Sequence, residues 1–174
     1  MRNVLRVCLP ALLFILHPNL SQAEISGSQW NEEIWQKIRL IEMKAAQGRE
    51  SLSEVWPVPA HLQKIQRSGQ LSSVEGGMVA VTSDVIITSS EIRLNKDIPV
   101  LAFFEIDGRC ITVKELKRHY PDVSITDVPH SMSPEDKTYW STEGGHGKIA
   151  FGFAQKRPAC LSAVVFTPRT TRGP

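Results

Sequence analysis

The stretch YWSTEGGHGKIAFGF, residues 139–153, decides how the C-terminal part of this chain folds. Ile149, Phe151 and Phe153 alternate with small or polar residues, which is the period of a strand that buries one face. A glycine-rich cluster at residues 143–147 precedes this alternation, and glycine adopts positive φ angles at little steric cost. The stretch therefore predicts a β-hairpin whose turn lies at residues 143–147.

The predicted turn also contains a carboxylate and an imidazole, at Glu143 and His146. General acid–base chemistry would need a nucleophile or a second base close to His146, and the neighbouring sequence supplies none. Two ligands on one turn also make a weak metal site. We therefore predict a turn without chemistry, in which Glu143 and His146 are candidate contacts for a partner. No catalytic, metal-binding or cofactor-binding residue is predicted.

Strand-like runs continue on both sides of this hairpin and predict an antiparallel meander. The runs are VSITDV, TYWST, KIAFGFA and CLSAVVFTP. The loop PHSMSPEDK, at residues 129–137, connects the first two of them. It is polar and contains two prolines. Because loops often carry binding residues, we predict that His130, Glu135 and Asp136 are further candidate contacts for a partner.

A short helix is predicted directly before the meander. Thr112 followed by Glu115 has the spacing of a capping box, in which each side chain satisfies a backbone N–H at the helix start. Pro121 ends this helix, since proline cannot continue the backbone hydrogen-bonding pattern. Cys110 lies just before it, so a bridge from Cys110 to Cys160 would link the helix to the last strand.

The first 23 residues have the pattern of a secretory signal peptide. A basic start precedes an apolar run over residues 7–16, and the small residues Ser21 and Ala23 fit cleavage before Glu24. The apolar run is shorter than the roughly 20 residues that a transmembrane helix needs. We therefore expect export from a bacterial cytoplasm to the periplasm or the medium, with no transmembrane segment after cleavage.

Cleavage would leave Cys110 and Cys160 as the remaining cysteines. A pair of cysteines in an oxidising compartment predicts one disulfide. Two buried free thiols are the alternative, and a Cys–Cys metal site is disfavoured because no CxxC pair or histidine lies at ligand spacing. Cleavage also removes two arginines and no acids, which balances the 20 basic and 18 acidic residues of the whole chain. A neutral chain predicts no nucleic-acid partner.

The N-terminal half predicts helices first and strands second. One long helix is indicated by an apolar stripe, which consists of Trp30, Ile34, Ile38, Ile41 and Ala45. Ser28 is its predicted N-cap and Gly48 its predicted stop. A shorter helix is predicted from Pro59 to Arg67. The apolar run from Val100 to Ile106, which is bounded by Pro99 and Asp107-Gly108, predicts a buried strand.

The predicted fold class is α+β, with N-terminal helices and a disulfide-linked helix packed on an antiparallel β-meander. We expect a single domain over residues 24–167, with 24–107 and 108–167 as its sub-halves, and a disordered tail over residues 168–174.

The function predicted from these features is binding without catalysis. The chain contains none of the common catalytic motifs. We expect an exported binding protein whose partner is another protein or an envelope component, as for an inhibitor, an immunity-type protein or an accessory of an envelope complex. The alternative is a small envelope hydrolase with a dispersed active site around His119, His130 or His146.

Overall fold

The computed structural model describes residues 21–48, 50–51, 63–66, 71–76, 78–96 and 98–169. The strands are β1 (Gln63–Gln66), β2 (Leu71–Gly76), β3 (Val79–Ala80), β4 (Val85–Asn95), β5 (Ile98–Gly108), β6 (Ser124–Asp127), β7 (Lys137–Glu143), β8 (Gly147–Ala154) and β9 (Leu161–Pro168). The helices with described bounds are α1 (Ser21–Gln47) and α2 (Val113–His119).

The strands form one antiparallel sheet. Eight of them follow a continuous path in the order β1-β2-β4-β5-β9-β8-β7-β6, and β3 pairs with β4 beside that path. The pairing of β5 with β9 runs from Ala102↔Phe166 to Glu105↔Ala163. Strands from both sides of α2 therefore belong to the same sheet.

The predicted α+β architecture is wrong, because strand rather than helix dominates the molecule. The structure is 51% strand and about 22% helix. The predicted meander exists as β9-β8-β7-β6, but it is only part of the sheet. The rest comes from residues 63–108, where β4 and β5 form a long hairpin whose buried positions include Ile87, Ile92 and Phe104. Strand β9 pairs with β5 and so joins this hairpin to the meander in one sheet.

The predicted Cys110–Cys160 disulfide is confirmed, but the description of a disulfide-linked helix is wrong, because the bridge joins two loops and neither cysteine lies in a helix. The disulfide joins Cys110 to Cys160, and both residues lie in loops, before α2 and before β9 respectively. The capping box itself is confirmed. The carboxylate of Glu115 accepts from the Thr112 backbone N–H at 2.7 Å, and the Thr112 hydroxyl accepts from the Glu115 N–H at 3.3 Å.

Helix α1 begins at Ser21, so the predicted N-cap at Ser28 is wrong. No proline lies between residue 18 and the end of the helix, and the backbone therefore continues helical on both sides of Ser28. The predicted stop at Gly48 is confirmed, with a φ of +113° that favours glycine.

The short helix predicted from Pro59 to Arg67 is wrong where the structure describes it. Residues 63–66 form β1, and Lys64 pairs with Val74 of β2. Pairing with a neighbouring strand overrides the local helix preference here. The predicted signal peptide up to residue 20 lies outside the described residues, as do residues 59–62 and 67 of this predicted helix. Of the predicted tail, Pro168 ends β9, and residues 170–174 also lie outside the described part.

One face of the sheet packs against the helices. The predicted stripe of α1 contributes Ile34, Ile38, Ile41 and Ala45 to the core, together with Trp35. The Trp35 ring stacks on His119 with centroids 4.6 Å apart and meets the edge of Phe151 at 6.1 Å. Trp35 therefore joins α1, the end of α2 and β8 at one point of the core.

Candidate functional site

The loop at residues 128–136, between β6 and β7, displays an apolar side chain to solvent. We call it the Met132 loop. Met132 is 94% exposed, more than any other large hydrophobic residue in the described part of the chain. Val128 in the same loop and Ile125 on β6 are each 52% exposed. Of the six large hydrophobic residues that are exposed in the described part of the chain, three therefore lie between positions 125 and 132.

Hydrogen bonds on both sides of Met132 connect this loop to itself and to the turn after β8. The Asp136 carboxylate accepts from the Ser131 backbone N–H at 3.0 Å and from its hydroxyl at 2.7 Å. The side-chain amide of Gln155 donates to the carbonyl oxygens of Ser131 and Ser133, at 2.9 and 3.1 Å. The exposed methionine thus lies between two anchored peptide groups.

Ion pairs fix the base of the loop to the rest of the sheet. Lys156 donates to the Glu135 carboxylate at 2.7 Å. Lys137, at the start of β7, lies 3.4 Å from the Glu105 carboxylate on β5. A third pair, Arg157 with Asp107 at 3.0 Å, lies beside these two around a cavity of about 120 Å³. The charges lining this cavity are paired with one another, which favours a supporting role over ligand binding.

The structure places three of the predicted contact residues in the Met132 loop, in different roles. His130 is exposed, and its Nε2 lies 3.1 Å from the Asp127 carboxylate. Glu135 is exposed and paired with Lys156. Asp136 is partly buried and accepts hydrogen bonds from within the loop, so it supports the loop shape. Only the first two are available for direct contact with a partner.

The other two predicted contacts lie at the opposite end of β7. The predicted hairpin is confirmed, since Glu143 pairs with Lys148 across the turn. Strand β7 extends from Lys137 to Glu143, so the turn is about 20 Å from the Met132 loop. Glu143 and His146 are exposed there and do not share a surface with His130. The five predicted residues therefore form two separate groups.

Glu42 is a buried carboxylate that the sequence analysis did not single out. It lies on α1, is 9% exposed and approaches the hairpin turn so closely that a Cβ on Gly144 would lie 2.7 Å from its Oε1. Burial raises the pKa of Glu42, and the charge of His146 acts to lower it. A signal was present in the sequence, because position 42 falls on the apolar stripe between Ile38 and Ala45.

Glu42→Gln is expected to stabilise the protein at neutral and alkaline pH. Because the folded state holds the Glu42 proton more tightly than the unfolded state, the stability linked to this group is complete below the unfolded pKa. It is lost as the pH rises through the folded pKa. Thermal unfolding should therefore show a higher Tm for the variant at pH 8 and no gain below about pH 4. The control is Glu143→Gln, which changes an exposed carboxylate. A rise in Tm for Glu42→Gln that is the same at every pH would contradict this prediction.

The histidine of α2 has a structural role. His119 stacks on Trp35, and its Nδ1 lies 4.0 Å from Glu32. Burial lowers the pKa of His119, which favours the neutral ring that packs on the indole. Beside it, the Tyr120 hydroxyl is buried without a hydrogen-bond partner in the described structure, and burial raises its pKa. These residues account for the contact between α1 and α2.

Comparison with protein-family models, with curated proteins and with solved structures finds no match to this chain. Within the described residues, none of the helices combines the length and apolar character that crossing a membrane requires. Those same residues bring together no group of three or more histidine, cysteine, aspartate or glutamate side chains that could hold a metal ion.

Proposed function

We propose that this protein is an exported, non-catalytic binding protein that contacts another protein through the Met132 loop. The observation that carries this proposal is the 94% exposure of Met132 between two carbonyl groups anchored by Gln155. A loop that is already ordered loses little conformational entropy on binding. Methionine is flexible and polarisable, so it fits apolar pockets of varied shape.

Export is supported by the disulfide and by the N-terminal sequence. The Cys110–Cys160 bridge fits an oxidising compartment. Cleavage before Glu24 would shorten α1 at its start and leave its buried positions from Ile34 onward intact. We propose the periplasm of a bacterium, or secretion, as the location. An inhibitor, an immunity-type protein or an accessory of an envelope complex would each fit this combination.

Met132→Ser is expected to reduce recovery of the partner by about ten-fold or more, because an exposed apolar anchor contributes on the order of 2 kcal/mol when it enters a pocket. The tagged precursor would be expressed in the organism of origin, crosslinked lightly and purified, and co-purifying proteins quantified by mass spectrometry. Met78→Ser is the matched control, since Met78 is also exposed, at 68%, but lies before β3. Equal recovery with Met132→Ser and the unaltered protein would contradict the proposal.

The alternative of a small envelope hydrolase receives no support from its three candidate histidines. His119 packs on Trp35, His130 pairs with Asp127 on an exposed loop, and His146 lies on the exposed hairpin turn. They occupy three different elements. The contacts of His119 and His130 are explained by packing and by local pairing, and the charge of His146 acts on the buried Glu42 beside the turn.

A further inference from the structure

We propose that the partner binds by adding an extended, positively charged segment to the edge of β6 with which no described strand pairs. This inference rests on the proposed function and specifies the partner's chemistry beside the Met132 loop. Strand β6 ends the sheet path, and its described pairing is with β7 on one side. An edge strand offers unpaired N–H and C=O groups, to which an extended peptide can add as a further strand.

The β6 edge combines exposure with apolar side chains. All of its residues, Ser124–Asp127, are exposed. Ile125 pairs with Trp140 of β7 and is nevertheless half exposed, as is Val128 just beyond the strand. A strand added at this edge would cover Ile125 and extend toward Met132. The same binding event would therefore bury the three exposed apolar side chains of this region.

The charge of this edge selects a basic partner. Residues 121–136 contain no lysine or arginine, and their carboxylates are Asp122, Asp127, Glu135 and Asp136. Glu135 is already paired with Lys156 and Asp136 accepts from Ser131, so Asp122 and Asp127 carry the charge of the edge. Lysine on an edge strand is a common protection against unwanted pairing, and β6 lacks it. Asp122 and Asp127 are exposed at the two ends of the strand. Lysine or arginine on the incoming segment would face these carboxylates.

A second copy of this chain fits the edge less well. Pairing β6 with β6 of another molecule would bring two acidic edges together, and like charges across a strand pair are destabilising. The register shift between Ile125 and Asp127 also limits the regular part of the edge to a few residues. A short basic segment avoids the repulsion between like charges and needs only the few regular residues of this edge.

The test uses a defined probe on the full mature chain with its disulfide intact. The probe is a synthetic eight-residue peptide of alternating lysine and valine, blocked at both ends. The control peptides are the glutamate–valine equivalent and a lysine–valine peptide with a central proline. Hydrogen exchange at the β6 amides would be measured with each peptide at low salt. The expected result is that the lysine–valine peptide slows exchange in β6 and that neither control peptide does.

A charge reversal tests the electrostatic part of the proposal. Asp127→Lys should weaken binding of the lysine–valine peptide about five-fold, the effect expected of one exposed charge pair. Glu143→Lys, an equal reversal at the far end of β7, should leave it unchanged. Unchanged β6 exchange, equal protection by the glutamate–valine peptide, or protection that increases with protein concentration without peptide would overturn the proposal. If the peptides failed to slow exchange in β6 while the Met132→Ser substitution still abolished recovery of a partner, that pair of results would refute only this inference. It would leave the proposed function standing.

Discussion

Trp35→Ala is expected to lower the free energy of unfolding by about 3–5 kcal/mol, the range for removing a buried aromatic side chain. The Trp35 indole is buried and contacts His119, Tyr120 and Phe151, with centroids 4.6, 6.0 and 6.1 Å away. Its removal leaves a cavity where α1, the end of α2 and β8 meet. Denaturant unfolding followed by circular dichroism measures the change.

Trp140→Ala is the matched control for this prediction. Trp140 lies on β7, is only partly buried and has the Lys117 ammonium 4.7 Å from its ring centroid. Its loss should therefore cost clearly less than the loss of Trp35. If the two variants are destabilised equally, α1 does not contribute to the core in the way that the structure shows.

Removing the disulfide is expected to destabilise the protein by about 4 kcal/mol, on the model in which the bridge restricts the unfolded chain. The bridge joins residues separated by 50 positions, so it closes a long loop that contains α2, β6, β7 and β8. The variant Cys110→Ala/Cys160→Ala would be compared with the unaltered protein in denaturant. Both proteins would also be measured in the presence of a reductant.

The reductant distinguishes the loss of the bridge from the loss of packing. It should destabilise the unaltered protein to the level of the double variant and leave the double variant unchanged. A loss of less than 1 kcal/mol, or an effect of reductant on the double variant, would show that the loop-closure argument fails for this chain.

Local features of this fold were predictable from the sequence. The capping box at Thr112 and Glu115, the stop at Gly48 and the turn before Gly147 each depend on a few neighbouring residues. The pairing of β5 with β9 was not predictable in the same way, because it joins residues about 60 positions apart that carry no mutual signal. The same limitation applies to β1, whose strand conformation depends on β2.

The candidate site was predictable in part. The polar, proline-containing loop after β6 was predicted to contact a partner, and the structure shows that His130 and Glu135 are exposed there. The role of Gln155 was not predictable, since its contacts to Ser131 and Ser133 arise only when the turn after β8 packs on the loop. Glu42 was missed because a charged residue at one position of an apolar stripe resembles the ordinary boundary of a helix face.

Site-specific photocrosslinking tests the central claim, that the Met132 loop contacts a partner protein, most directly. A benzophenone amino acid would replace Met132 in one version of the precursor and Met78 in another, and each would be irradiated in the organism of origin. We expect one discrete adduct from position 132, of the same mass in each repeat, and no such adduct from position 78. No adduct from position 132, or the same adducts from both positions, would contradict it.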